Sequence, residues 1–104
     1  MSRSQTTTKT LNNVHPGEVL KEEFLVPMNI SAYKLAKEIK VPETRLSAIV
    51  NCKRAVTADT AIRLSRFFGT TPDFWFNLQS MYDIEEQERI KSTEFDEIKQ
   101  YATA

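Results

Sequence analysis

A very short turn between two amphipathic segments constrains the fold of this chain more than any other feature. Apolar residues recur at helical spacing over residues 35–39 and again over 46–50. Lys40 and Val41 lie between them, and Pro42 pushes Val41 out of the helical region and suits the first turn of a new helix. Two helices joined by so short a turn must cross at a steep angle. The second helix, which runs to about residue 50, then projects from the domain.

Capping residues and helix breakers predict an all-α fold with five helices. Ser31 can cap the first helix of the pair just described. An earlier helix opens with the string HPGE at residues 15–18 and ends at Pro27. A later one spans 57–69, from a threonine cap to a glycine stop, and the last starts at Thr71. The chain has only two glycines, which also favours helices over strands.

The two ends of the chain differ from the helical middle. The first 13 residues are polar, which indicates a mobile leader. Beyond Lys91, the residues Phe95, Ile98 and Tyr101 recur at helical spacing in a highly charged stretch, which predicts a helical tail of marginal stability. The expected boundaries are 1–13 for the leader, 14–90 for the single folded domain and 91–104 for the tail.

Charge is unevenly distributed, although the net charge of the chain is zero. Residues 1–69 hold eleven Lys and Arg against six Asp and Glu, whereas residues 70–104 hold three against eight. The basic part suits a polyanion, and the acidic part would then face away from it. Ordinary solvated helix faces can produce the same asymmetry, so this alternative stays open.

Several functional classes find no support in the sequence. No apolar run approaches the roughly 20 residues of a membrane span, and the start lacks the apolar core of a signal peptide, so we expect a cytoplasmic protein. Cys52, the single cysteine, allows neither an intrachain disulfide nor a thiolate metal cluster. His15 stands alone, and paired carboxylates and phosphate loops are missing. We therefore expect no enzyme, no cofactor and no metal site.

The projecting helix has the dimensions of a DNA-reading element. A helix fits the major groove of B-DNA, where its first turns reach base edges. Its outer face would carry Glu43, Thr44 and Ser47, although a solvated surface helix shows the same polar face. Basic residues near the pair of helices would be placed for phosphate contacts. They are Lys34, Lys37, Lys53 and Arg54.

At this point the sequence resembles a known family. The residues that follow the helix-turn-helix pattern of the phage-repressor (XRE) superfamily are Ala36, Ile39, Val41, Leu46 and Ile49. The strings HPGEVL at 15–20, VNCKRAVTADTA at 50–61 and GTTPDFW at 69–75 are similar to the HigA antitoxin family, also labelled virulence-associated protein I. The resemblance spans about residues 14–82.

The resemblance implies both a fold and a function. The implied fold is a five-helix, lambda-repressor-like helix-turn-helix domain, to which this chain adds a C-terminal helical tail. The implied function is that of a dimeric antitoxin, which neutralises a toxin of the RelE-like ribonuclease class and represses its own operon by binding an operator palindrome. Nothing about the tail follows from the family.

Two positions depart from the family pattern. The turn between the paired helices usually contains glycine, where this chain has Lys40. If that residue is left-handed, the side chain costs about 1 kcal/mol. The string after the second helix usually reads Asn-Gly-Lys-Arg, and Cys52 stands in the glycine place.

The family pattern also assigns groove-facing positions in the projecting helix. They are Pro42, Glu43, Thr44 and Ser47, with Arg45 beside them. Thr44, Arg45 and Ser47 are the strongest candidates for base contacts. Arg45 can read guanine, contact phosphate or pair with Glu43 in the free protein. For Glu43, a favourable interaction with the helix dipole is the preferred interpretation over a contact to cytosine.

Phosphate contacts are expected from a second set of polar residues. They are Ser31, Lys34, Lys53 and Arg54. Each of them can equally be a plain solvated side chain.

The aromatic residues exceed what one small helix face needs. They are Phe67, Phe68, Phe74, Trp75 and Phe76. We expect some of them to meet other helices and some to meet a second subunit, with Phe74, Trp75 and Leu78 as candidates for the core or the dimer interface. The alternative is a purely intrachain core.

Two other functions are consistent with the same residues. The protein can be a solitary or phage-derived repressor without a toxin, which the neighbouring open reading frame would reveal. It can also be a protein-binding module, in which the acidic fifth helix and the tail engage a partner and the helix-turn-helix is only a scaffold. Failure to bind any duplex, whatever the salt, would favour the module.

Overall fold

The computed structural model describes residues 13–102, and five helices build it. Helix α1 has three consecutive segments, Pro16–Val19, the π-helical Leu20–Leu25, and Val26–Met28. The other four are α2 (Ala32–Ile39), α3 (Glu43–Val50), α4 (Ala58–Phe68) and α5 (Pro72–Asp96). Residues 13–102 contain no strand, so the all-α prediction is confirmed. No helix in this range is long and apolar enough to cross a membrane.

The predicted caps are present and explain where the helices begin and end. The Ser31 hydroxyl accepts a hydrogen bond from the Lys34 N–H at 3.0 Å, and the Thr57 hydroxyl accepts one from the Thr60 N–H at 3.3 Å. Gly69 ends α4 in the left-handed region, at φ 79°. The bonds to the Ser31 and Thr57 hydroxyls satisfy backbone N–H donors that a helix start leaves unpaired.

Two prolines occupy positions other than those predicted. Helix α1 does not end at Pro27 but continues to Met28 and stops at the left-handed Asn29. The π-helical turn before Pro27 accounts for this, because the Val26 N–H bonds to the carbonyl five residues back and widens the helix where the proline ring would clash. Pro42 does not lie in the first turn of α3 but is its N-cap, with extended backbone at φ −60° and ψ 140°.

All five helices and two loops contribute to a single apolar core. Its buried residues are Leu20, Leu25, Leu35, Ala36, Ile39, Val41, Leu46, Ile49, Val56, Ala61, Leu64 and Trp75. Trp75 is fully buried and is the largest of them. Its indole N–H donates to the Thr70 hydroxyl at 2.8 Å, so the polar end of this side chain also has a partner.

Helix α5 extends beyond the core. Its two buried residues, Trp75 and Gln79, both lie in its first third. At Lys91 the backbone leaves helical geometry (φ −118°, ψ 27°), and the helix then continues to Asp96. The predicted helical tail is therefore correct for Phe95 but wrong for Ile98 and Tyr101, which follow the helix end.

The start of the described chain lies against α5. The Asn13 side-chain amide donates to the Tyr82 carbonyl at 2.7 Å and to the Glu86 carboxylate at 3.1 Å. Residues 1–12 of the predicted leader lie outside the described residues, and the domain boundaries at 13 and 90 stay a prediction.

Candidate nucleic-acid interface

The turn between α2 and α3 is as tight as the sequence predicts. Lys40 is left-handed, with φ 63° and ψ 47°, so it occupies a glycine-like conformation at a cost of about 1 kcal/mol. The Val41 N–H returns to the Ala36 carbonyl at 3.0 Å and closes the turn. Ala36 itself is buried in the core. The turn therefore forms with lysine in the place where the family pattern has glycine.

Helix α3 is held on one side and open on the other. Leu46 and Ile49 are fully buried and anchor it to the core. The predicted base-reading residues lie outside the core: Pro42, Glu43 and Thr44 are exposed, and Arg45 and Ser47 are half-buried. The structure thus gathers these five residues at one accessible helix start, which is the part of a recognition helix that enters the major groove.

Arg45 has an acidic neighbour that the sequence did not indicate. Its Nη1 lies 3.9 Å from Asp59 Oδ2, in the first turn of α4, so in the described chain its ionic partner is Asp59 rather than Glu43. Asp59 also accepts a 2.9 Å hydrogen bond from the Nε–H of Arg63. Arg63 in turn donates to the carbonyl of Ile39 at 2.8 Å. The end of α2, α4 and the start of α3 are linked in this way.

The loop after α3 carries two of the predicted phosphate contacts. Cys52 takes the glycine role in this loop, at φ 64°, and the Lys53 N–H bonds to the Ala48 carbonyl at 2.8 Å in a left-handed helix termination. Lys53 and Arg54 follow with exposed side chains. The departure from glycine at Cys52 has therefore left the fold of the loop intact.

The other two predicted phosphate contacts lie at the start of α2. The exposed Ser31 is its N-cap, so its hydroxyl oxygen already serves the helix. The exposed ammonium of Lys34 lies 3.7 Å from the Glu38 carboxylate. An exposed pair of this kind is weak and salt-sensitive, so Lys34 can exchange Glu38 for a phosphate.

Gln79 of α5 holds the loop between α3 and α4 by a hydrogen bond, a role that nothing in the sequence indicated. The Gln79 side-chain carbonyl accepts a 2.7 Å hydrogen bond from the Val56 N–H, and its amide donates to Asp83 at 2.9 Å. Gln79 is buried, which its position in a charged helix did not reveal. The missing signal is structural, because this bond joins residues 23 positions apart.

His15 joins the start of α1 to α5. Its Nδ1 accepts a 2.8 Å hydrogen bond from the Gly17 N–H, and its ring packs edge-on against Tyr82 at 4.8 Å. Burial lowers the pKa of His15, an effect that the nearby Asp83 carboxylate opposes. The neutral imidazole is the form that can accept the Gly17 bond. Its role is therefore to cap α1.

The predicted aromatic cluster is divided between core and surface. Trp75 is buried and Phe68 half-buried, and Phe24 from α1 packs on both with ring centroids 5.0 and 4.8 Å away. Phe67, Phe74 and Phe76 keep 36%, 39% and 45% of their surface exposed. Leu78 is half-buried. Phe67 and Phe74 also pack edge-on against Phe68 and Trp75, each at 4.9 Å between ring centroids, so they are partly covered within the chain.

Over residues 13–102, no three His, Cys, Asp or Glu side chains lie in a group that can hold a metal ion.

Comparison with known proteins identifies the family. A family model described as "Helix-turn-helix" matches residues 20–75. Virulence-associated protein I of Dichelobacter nodosus is 46% identical over 80 residues, which cover 77% of this chain and 74% of the relative. A solved structure, that of an addiction module antidote protein of a HigA family from Coxiella burnetii, matches with a TM-score of 0.82 and 45% identity. The match covers 86% of this chain and 99% of the Coxiella chain.

A second solved structure contains DNA. The Pseudomonas aeruginosa antitoxin HigA, solved with the higBA promoter, has a TM-score of 0.84 and 38% identity, covering 88% of this chain and all of its own (100%). The family model covers the helix pair and the loop after it, and it ends at Trp75 in the first turn of α5. The chain therefore belongs to the HigA antitoxin family, also named virulence-associated protein I, within the XRE-type helix-turn-helix proteins.

Proposed function

We propose that this protein represses its own operon by binding an operator palindrome as a homodimer, and that it neutralises a partner toxin encoded beside it. The observation that carries the DNA-binding part is the open, polar start of α3 next to exposed basic side chains. Arg45 lies on this helix, and Lys53 and Arg54 follow it in the next loop. A HigA relative has been solved with promoter DNA, which supports DNA binding as the function of this chain. We place this function in the cytoplasm and propose no catalytic step.

Each group of residues has its own role in this proposal. Thr44, Arg45 and Ser47 read base edges, and Pro42 and Glu43 border them at the helix start. Phosphate contacts from Ser31, Lys34, Lys53 and Arg54 fix the register of the protein on the duplex. The second half of α5 is acidic and therefore negatively charged, as DNA is. Because the two would repel each other, we place this half of the helix away from the duplex.

Dimerisation follows from the small size of one recognition helix and from the exposed aromatics. One helix reads only a few bases, whereas two related by symmetry read half-sites about one helical turn apart. Phe67, Phe74 and Phe76 expose apolar surface in the region where α4 meets α5. Large apolar side chains of this kind are typical of subunit interfaces. We propose that Phe67, Phe74 and Phe76 are buried against the second copy of the chain in the dimer.

Replacement of Arg45 tests DNA reading. We expect Arg45→Ala to weaken binding to the duplex upstream of the gene by about 5- to 150-fold, because a good base contact is worth about 1–3 kcal/mol. A salt-titrated gel shift against a scrambled duplex of equal length measures this, and wild-type complexes should contain two chains per duplex. If Arg45 contacts only phosphate, both duplexes lose affinity alike.

Arg89→Ala is the matched control for this experiment. Like Arg45→Ala, it removes one positive charge. Arg89 is exposed, lies in the acidic part of α5 and pairs with Glu86 at 2.6 Å. We expect it to leave operator binding nearly unchanged. Equal losses in the two variants would contradict a direct role of Arg45, and no wild-type shift at low salt would favour the protein-binding module instead.

Co-expression tests the antitoxin function. The family resemblance implies a toxin of the RelE-like ribonuclease class, so the neighbouring open reading frame expressed alone should arrest growth. Simultaneous expression of this protein should restore growth. The Arg45→Ala variant should also restore it, because toxin contacts need not involve the DNA-reading face. Without arrest and rescue, the solitary repressor becomes the better interpretation.

A further inference from the structure

The carboxylate of Asp59 lies between two arginines at the edge of the proposed DNA-reading face. It is the second residue of α4, and it contacts Arg63 Nε at 2.9 Å and Arg45 Nη1 at 3.9 Å. Its side chain is 58% exposed, and that of Arg45 is 34% exposed. An acid this close to the DNA-reading face is unexpected, because it repels the phosphates of any duplex.

The two arginines are held to different degrees. Arg63 is fixed to the backbone of the helix-turn-helix, because its Nη1 donates to the Ile39 carbonyl at 2.8 Å and reaches the Lys40 carbonyl at 3.5 Å. For Arg45, the polar contact found in the described chain is the one to Asp59. In the ion pair between Asp59 and Arg45, Asp59 is therefore held in place by α4 and by Arg63. Arg45 is the mobile partner, and Asp59 sets the direction of its side chain.

The surroundings leave Arg45 room for other conformations. It borders an open cavity of about 280 Å³, whose lining residues are Arg45, Arg54, Ala55, Thr57, Asp59 and Thr60. A long arginine side chain in open space loses rotamer freedom when it binds a base. A carboxylate that already directs the side chain reduces this loss.

The long, exposed pair between Arg45 and Asp59 is a poor stabiliser of the fold. Exposed ion pairs contribute little to stability, and this one lies close to the distance limit of an ion pair. The bond to Arg63 and the place in the first turn of α4 give Asp59 a role in the fold. The contact with Arg45 adds little to that role and leaves Arg45 able to bind DNA.

We propose that Asp59 is a positioning residue that sets how well the protein distinguishes its operator from other DNA. It directs Arg45 toward the base edges, and its charge weakens the attachment of the same face to phosphates of any sequence. This inference rests on the proposed reading of bases by Arg45. It predicts that removal of the charge raises affinity for random DNA and lowers discrimination.

The test compares Asp59→Asn with Asp73→Asn. Asp73 is the second residue of α5, as Asp59 is of α4, so both variants change the net charge and the helix start in the same way. Fluorescence anisotropy with operator and scrambled duplexes over a range of salt concentrations gives the ratio of the two affinities. We expect this ratio to fall about tenfold in Asp59→Asn, the size of one base contact. In Asp73→Asn it should stay at the wild-type value.

Two further measurements keep the outcome decisive. Thermal unfolding of both variants shows whether the fold is intact, and Asp59→Glu, which keeps the charge, should retain the ratio within about threefold of wild type. An unchanged ratio in Asp59→Asn, or an equal fall in Asp59→Glu, would overturn the role of Asp59. A wild-type protein that does not distinguish the duplexes would overturn the proposed function itself, and this inference with it.

Discussion

Gly17→Ala is expected to destabilise the protein by about 3 kcal/mol or more, because the first turn of α1 lies directly on the end of α3. A Cβ atom at Gly17 would lie 1.7 Å from the carbonyl oxygen of Ile49 and 2.8 Å from its carbonyl carbon. Both are backbone atoms of the proposed recognition helix. They can move only if the two helices separate, so operator binding should weaken together with stability. Urea unfolding measures the first effect and a gel shift the second.

The other glycine of the chain provides the control. Gly69 is left-handed, at φ 79°, but a Cβ atom there would meet nothing within 4 Å. Gly69→Ala should therefore introduce only the backbone strain of a left-handed alanine, about 1–2 kcal/mol. If Gly17→Ala is no more destabilising than Gly69→Ala, the close contact between α1 and α3 is not the reason that glycine occupies position 17.

The difference between these glycines illustrates what the sequence can predict. Gly69 follows an amphipathic stretch and precedes a new cap, so its role as a helix stop is local and was predicted correctly. The role of Gly17 depends on Ile49, which is 32 positions away, and the string HPGE indicated only a helix start. Helix periods and caps are local properties, whereas close backbone contacts are not.

The proposed site divides in the same way. The exposed start of α3 followed from spacing and from the family pattern, which also marked Lys40 and Cys52 as residues in the usual glycine places. Their left-handed backbone is a finding of the structure. The contacts of Asp59 with Arg45 and of Gln79 with the Val56 N–H did not, because each joins residues from separate helices or loops. The Asp59–Arg63 pair could have been predicted from the sequence, because an acid four residues before an arginine is a recognisable pattern of helix ion pairs.

Trp75→Ala should be the second strongly destabilising substitution, with a loss of about 3–5 kcal/mol in the free energy of unfolding. Trp75 is the largest fully buried side chain. It joins three helices, because its ring lies 5.0 Å from Phe24 of α1 and 6.2 Å from Phe68 of α4. Its removal also leaves the Thr70 hydroxyl without the indole partner. The resulting cavity would lie where α1, α4 and α5 meet.

Phe76→Ala separates this intrachain effect from dimerisation. Phe76 is on the same helix and 45% exposed, so its loss should change the unfolding of one chain by less than about 1 kcal/mol. Unfolding of both variants is measured at several protein concentrations, because the apparent stability of a dimer depends on concentration. Trp75→Ala should be destabilised at every concentration, including those at which the wild type is monomeric. If its loss appears only where the wild type is dimeric, Trp75 belongs to the subunit interface and the five-helix core is stable without it.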